Sequence, residues 1–210
     1  MIRLFWSCFL IECDRLAELE LPHSGLQQLT DEISLPECTN LGMMQSTCYL
    51  AEISIRRLLN RIHSSLYPSK KHGLKLSSTT LTTTEDFSVE DISSISAVCD
   101  ELRSQLELWH SSIPDTYRPR LDLPPTMQES DDRQAILRIR YFAARHIIYR
   151  PFLLHIVTHG VSTTSHSVVE KAGICIESCR YYIHHTTTIL SNPSQYTWTF
   201  SLSCVACKLQ

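Results

Sequence analysis

Glycine is scarce in this sequence, 5 in 210 residues, which excludes a collagen-like chain. Outside the N-terminus no apolar run approaches the ~18–20 residues that a membrane-spanning helix needs. Charge of neither sign dominates: the formal net charge of −3 gives no general pull toward nucleic acid or anionic membrane. Catalytic signatures are missing too, with no G-x-S-x-G, no P-loop and no G-x-G-x-x-G. His155 and His159 stand four apart, but the Glu of an H-E-x-x-H protease is absent. Without a nucleophile–base pair or phosphate loop, the chain does not read as an enzyme.

What remains is ordinary globular composition, 43% hydrophobic, 20% charged and 8% aromatic. A chain of this length buries on the order of 70% of its unfolded surface, enough for one sizeable core. Nine cysteines are many, and their number is odd. A chain this long does not need them as staples, so most read as reduced, buried, small apolar side chains. Cys204-x-x-Cys207 has the most metal-like spacing and, with Cys175 and Cys179, would complete a four-thiolate zinc site. Cys175 and Cys179, however, lie i,i+4 on an apolar stripe and lack the usual two-residue gap. No metal and no cofactor are expected in this chain.

Residues 4–11, LFWSCFLI behind Arg3, have the form of a short secretory signal. No small-residue cleavage site follows, and the pattern runs on through Glu12-Cys13-Asp14-Arg15. At 100° per residue Ile2, Phe5, Trp6, Phe9, Cys13 and Leu16 share one face. The spacing therefore predicts a buried helix, with Leu4 and Ile11 on a back face that is covered as well.

Helical spacing then repeats. Residues 41–66 carry a stripe of Met44, Cys48, Ala51, Ile55, Leu58, Leu59 and Ile62, stopped by Pro68. Residues 69–86 form a Ser/Thr-rich linker. A third helix begins at Ser88, with Asp91 as capping-box partner and Phe87 and Ile92 as a staple. It continues through Ile95, Cys99, Leu102, Leu106, Trp109 and Ile113 to Pro114, where a proline-rich loop runs to 129. A fourth spans about 131–159 with Ile139, Phe142, His146, Tyr149, Leu153 and Val157 inward, and Pro151 should kink or break it near 147–150.

The fifth helix starts near Ser167, with Glu170 as capping-box partner, and carries Ala172, Cys175, Cys179, Tyr182, Thr186 and Ile189 to a stop at Asn192-Pro193. The tail from Tyr196 alternates like a strand, but with no other strand in view a helix is favoured. The expected fold is all-α, five to six long helices in one irregular domain that looks truncated at both ends. Five arginines of the fourth helix, Arg133, Arg138, Arg140, Arg145 and Arg150, flank its stripe rather than forming a ridge for nucleic acid. The segment 1–40 holds seven acids against Arg3 and Arg15, so attraction between the two regions is expected.

Residues 3–22, RLFWSCFLIECDRLAELELP, resemble the tryptophan helix of the fungal-specific transcription factor domain, the middle homology region of fungal zinc-cluster regulators. Trp6, Asp14-Arg15 and Pro22 match that pattern, whereas Glu20 stands where the family usually has Gly. Asp31-Glu32-Ile33 and Leu35-Pro36, then LRSQLELWHSSIP from Leu102, are similar in order. So are LRIRYFAARHIIYRPFL from Leu137 and the Cys-containing helix from Cys175 to Ile189.

The resemblance implies a regulatory domain in the nucleus that modulates transcription through other regions of its own protein, coregulators or a small metabolite. It also implies a separate DNA-binding cluster of six cysteines and two zinc ions, whose spacing is absent here, so no specific DNA contact is expected from this chain. No membrane contact is expected. If a ligand pocket exists, Trp6, Trp109, His146 and Tyr149 are the candidates to stand near it, each a polar handle on an apolar face. The other reading is a helical scaffold or homodimerisation module without ligand, using the stripe from Ile92 to Ile113.

Overall fold

A computed structural model describes residues 1–16, 24–67, 89–122, 132–191, 194 and 196–208. The fold is all-α: among the described residues there are six α-helices, two 3-10 turns and no strand. They are α1 (Ile2–Leu16), α2 (Met43–Leu66), α3 (Val89–Ser112), α4 (Asp132–His159), α5 (His166–Leu190) and α6 (Thr197–Lys208), with 3-10 turns at Leu26–Leu29 and Val161–Thr163. None of the described helices is long and apolar enough to cross a membrane. The linker at 69–86, the Ser88 cap with Phe87, the loop beyond 122 and the Asn192-Pro193 stop lie outside the described residues, as do Glu20 and Pro22.

Helix α4 is the axis of the bundle. It lies along α5, with His146 against Cys175 and Phe142 stacked on Tyr181 and His185, so the two run antiparallel. Its other sides meet α2 and α3. The thiol of Cys99 donates to the Ile148 carbonyl (3.1 Å), and the hydroxyl of Tyr141 to Glu107 (2.8 Å). Helices α2 and α3 are pinned by the Trp109 indole, which donates to the Ala51 carbonyl (3.1 Å) and Ser54 Oγ (3.0 Å). The resulting core runs from Cys48 through Leu106, Ile139 and Phe152 to Phe200. Each fully buried aliphatic or aromatic side chain contributes roughly 1.5–3 kcal/mol.

Helix α1 packs on α2 through a smaller cluster of Trp6, Phe9, Cys13 and Ile53. The Trp6 ring meets Phe5 and Phe9 edge-to-face, and its indole N–H donates to the Ser34 carbonyl at 2.9 Å. The expected covering of the back face is not found: Leu4 is 67% and Ile11 60% exposed. A single 3.6-residue stripe is all that α1 offers its partner, and no described element crosses its outer side.

Three further expectations change. Pro151 neither breaks α4 nor divides it: the helix runs unbroken from Asp132 to His159. Val157, placed on the inward stripe, is 74% exposed, as Thr158 and His159 after it are exposed too. The cap of α5 is Ser165 rather than Ser167, and Glu170 pairs with His166 (3.3 Å) instead of closing a capping box. Helix α4 ends at Gly160, whose φ of +85° suits a residue without Cβ and whose N–H returns to the Ile156 carbonyl (2.8 Å).

Candidate functional site

Four helices leave a cavity of about 440 Å³. Helix α1 contributes Ser7, Leu10, Ile11, Asp14 and Arg15, and α2 adds Gln45, Cys48, Tyr49 and Glu52. Helix α4 supplies Arg133, Ile136 and Leu137, Tyr196 stands just before α6, and Thr199 lies in its first turn. The volume lies within the roughly 300–1,000 Å³ usual for small-molecule sites.

Beneath the cavity lies a buried ionic network. Arg140 of α4 directs one guanidinium nitrogen at both oxygens of Asp14, at 2.7 and 2.8 Å, across 126 residues of sequence. Arg56 of α2 pairs with the same carboxylate. Glu52 Oε1 stands 3.8 Å from Arg140, and its Oε2 accepts from the Tyr196 hydroxyl at 3.2 Å. The Phe200 ring lies 5.2 Å from the Arg140 guanidinium, a cation–π contact from α6. Arg56 and Arg140 are each only 5% exposed. Burial, and secondarily the charge of Arg140, lower the Arg56 pKa well below the ordinary arginine value.

Two buried cations sharing one carboxylate form an expensive arrangement, since desolvation offsets much of the Coulomb attraction. It ties α1, α2 and α4 into one unit and fixes the acids that line the cavity. Attraction between the acidic N-terminal segment and the arginines of α4 was expected, and among the described residues it includes the pair Asp14–Arg140. Arg138 and Arg140 are buried rather than solvated. They lie where α4 is packed among its neighbours, whereas Arg133 in its first turn is exposed.

The four residues anticipated for a pocket lie elsewhere; none of them lines this cavity. Trp6 and Trp109 serve as core anchors with their indole donors satisfied by Ser34, Ala51 and Ser54. His146 is buried against α5, its Nδ1 3.4 Å from the Cys175 carbonyl and 3.3 Å from the Cys175 thiol. Tyr149 is buried beside Phe152. The polar handles of Trp6, Trp109 and His146 are taken up by partners in the core rather than turned to open space.

No group of three or more His, Cys, Asp or Glu residues fit to hold a metal occurs among the described residues. Cys175 and Cys204 are buried, and the side chain of Cys207 lies outside the described set. Burial pushes the Cys99 and Cys175 thiols up to about 12, which leaves both unreactive near neutral pH. The residues that build the cavity carried one faint signal in sequence. Asp14 borders the inward face of α1 and Arg140 interrupts an apolar run, and an ion pair is the usual way to bury either. No family model matches the chain, and neither does any curated protein or solved structure.

Proposed function

We propose that this chain is a regulatory helical domain that responds to a small molecule in the cavity between α1, α2, α4 and α6. The class is that of the fungal transcription factor middle homology region, acting in the nucleus on a DNA-binding cluster outside this chain. The reading rests on the resemblance of residues 3–22 and 149–153 to that family. One structural observation supports it: the cavity is lined by four helices, and its two lining acids belong to the network that joins three of them. A ligand touching Asp14 or Glu52 would shift how α1 and α6 sit on α2 and α4, which is how occupancy becomes a signal.

The experiment is a fusion of the full chain to a heterologous DNA-binding domain, read on a reporter in fungal cells. Output should differ at least about threefold from that of the DNA-binding domain alone and respond to the cavity-filling substitution Ser7→Trp, a shift small enough for modest differential binding to produce. Output equal to the DNA-binding domain alone, with the fusion present and folded, would overturn the proposal.

The scaffold or homodimer reading loses the surface first offered for it, because Ile92, Cys99, Leu102, Leu106, Trp109 and Ile113 are buried within this chain. What favours it instead is the exposed pair Leu4 and Ile11 on α1. Sedimentation decides: a concentration-independent monomer removes this second reading.

A further inference from the structure

Thr199 and Glu52 both line the cavity with unused hydrogen-bonding capacity. Thr199 is 4% exposed, yet its hydroxyl has no hydrogen-bond partner among the described residues. Glu52 accepts from Tyr196 through Oε2, while its Oε1 stands 3.8 Å from Arg140, within ion-pair reach but beyond hydrogen-bonding distance. That oxygen can still accept from a donor. Asp14 differs, because Arg56 and Arg140 already hold its carboxylate. A buried polar group without a partner is costly, so both Thr199 and Glu52 gain from a ligand atom.

The surroundings of Glu52 Oε1 set the charge of what can reach it. A carboxylate oxygen repels an anion, and the Arg140 guanidinium beside it repels a cation. An uncharged O–H or N–H satisfies Oε1 without bringing in a further buried charge, whose desolvation would be expensive. Thr199 can donate to or accept from the same uncharged group. Leu10, Ile136 and Leu137 add apolar lining from α1 and α4. Gln45, exposed and seven residues before Glu52 on α2, marks the outer side of the cavity about 10 Å along that helix.

We propose that the cavity takes a small uncharged molecule with an apolar body and a hydroxyl or N–H donor at its inner end, the donor meeting Glu52 Oε1 and Thr199. This rests on the reading of the cavity as a ligand site and names the chemistry that the site selects.

Four naphthalenes, followed by their fluorescence, separate donor from charge. 2-Naphthol is uncharged at pH 7 and carries one O–H donor, and 2-methoxynaphthalene has the same body without the donor. 2-Naphthoate and 2-naphthylmethylammonium carry an anionic and a cationic head instead. 2-Naphthol should bind the full chain saturably at one site, about tenfold more tightly than each of the other three, which is roughly the worth of one hydrogen bond to a charged acceptor. Glu52→Met should bring 2-naphthol and its methyl ether within about twofold of each other, whereas a merely structural loss would weaken both alike. Ser7→Trp should reduce 2-naphthol binding by filling the cavity. A cooperative urea transition verifies the fold of each variant. Thr199→Val, which removes only a hydroxyl, should also narrow the ratio and carries the same test if Glu52→Met does not fold.

Absence of saturable 2-naphthol binding, or binding that Ser7→Trp leaves intact, overturns the proposal together with the cavity reading. Binding that is lost with Ser7→Trp, but in which the ether or either charged analogue matches 2-naphthol, overturns the uncharged-donor preference alone. A ratio of naphthol to ether unchanged in both Glu52→Met and Thr199→Val overturns the assignment of the donor to these two residues.

Discussion

The Tyr67 hydroxyl donates to the carbonyl of Ile147 at 3.0 Å, the acceptor that Pro151 leaves without its helical amide partner. Proline lacks an N–H, so the carbonyl four residues before it loses its i→i−4 bond. Tyr67, just past the end of α2, supplies the missing donor from a neighbouring element. Its ring also lies 5.9 Å from the Arg150 guanidinium. The helix therefore continues through a residue that would otherwise interrupt it.

Tyr67→Phe should cost about 1–2 kcal/mol, the usual price of an unsatisfied buried carbonyl. In a Pro151→Ala background, where an amide returns to Ile147, the same substitution should cost less than about half as much. Urea unfolding of the four proteins in this cycle gives the coupling, and additive effects would refute the substitute-donor account.

Asp14→Asn leaves Arg56 and Arg140 buried without their shared carboxylate. Removing one partner of a buried ion set typically costs about 3–5 kcal/mol. Asp14→Asn combined with Arg140→Met should be less destabilised than the sum of the two single variants, since it also removes one orphaned charge. Denaturant midpoints at constant slope are the measurement.

His185 is buried, stacked on Phe142, and held to a pKa of about 4 by desolvation first and then by the charges of Arg138 and His184. Between about pH 6.5 and 4 the unfolded chain carries a proton on this imidazole that the folded chain does not, so stability falls as the solution is acidified through that window. The loss is on the order of 1–3 kcal/mol, complete near pH 4 and absent above pH 7. Stability curves at pH 7.5 and 5 should diverge less in His185→Phe, and an unchanged difference would exclude this residue as the cause.

Cys8 is exposed, whereas Cys99 and Cys175 are buried with raised pKa values. Under native conditions at pH 8, iodoacetamide should modify Cys8 within minutes and leave Cys99 and Cys175 protected until urea unfolds the chain. Mass spectrometry of peptides reads this directly.

Much of the fold was legible in the sequence because helix spacing is local. The stripes of α2, α3 and α5 and the boundaries of α4 need only 3-4 periodicity, a proline or a capping residue. Coverage is not local. Leu4 and Ile11 look identical to core residues in sequence, and only the absence of a described neighbour leaves them exposed. Arg138 and Arg140 look like surface residues, and only the crowding of α4 buries them. The cavity draws one acid each from α1 and α2 and its ionic partners from α2 and α4, and no spacing along one helix encodes that meeting.

The span of the Asp14–Arg140 pair has a consequence for synthesis on the ribosome. Trp6, Phe9, Cys13 and Ile53 all emerge within the first quarter of the chain, so α1 and α2 can close their small cluster early. Asp14 must then wait 126 residues for Arg140, about 6–25 s at ordinary elongation rates of ~5–20 residues/s. Once Arg56 has emerged it is the partner this network offers the carboxylate until Arg140 follows, and the surface that becomes the cavity has no roof. The N-terminal pair of helices is thus a unit awaiting α4, and a pause in translation before Arg140 would lengthen the time in which a chaperone could hold it.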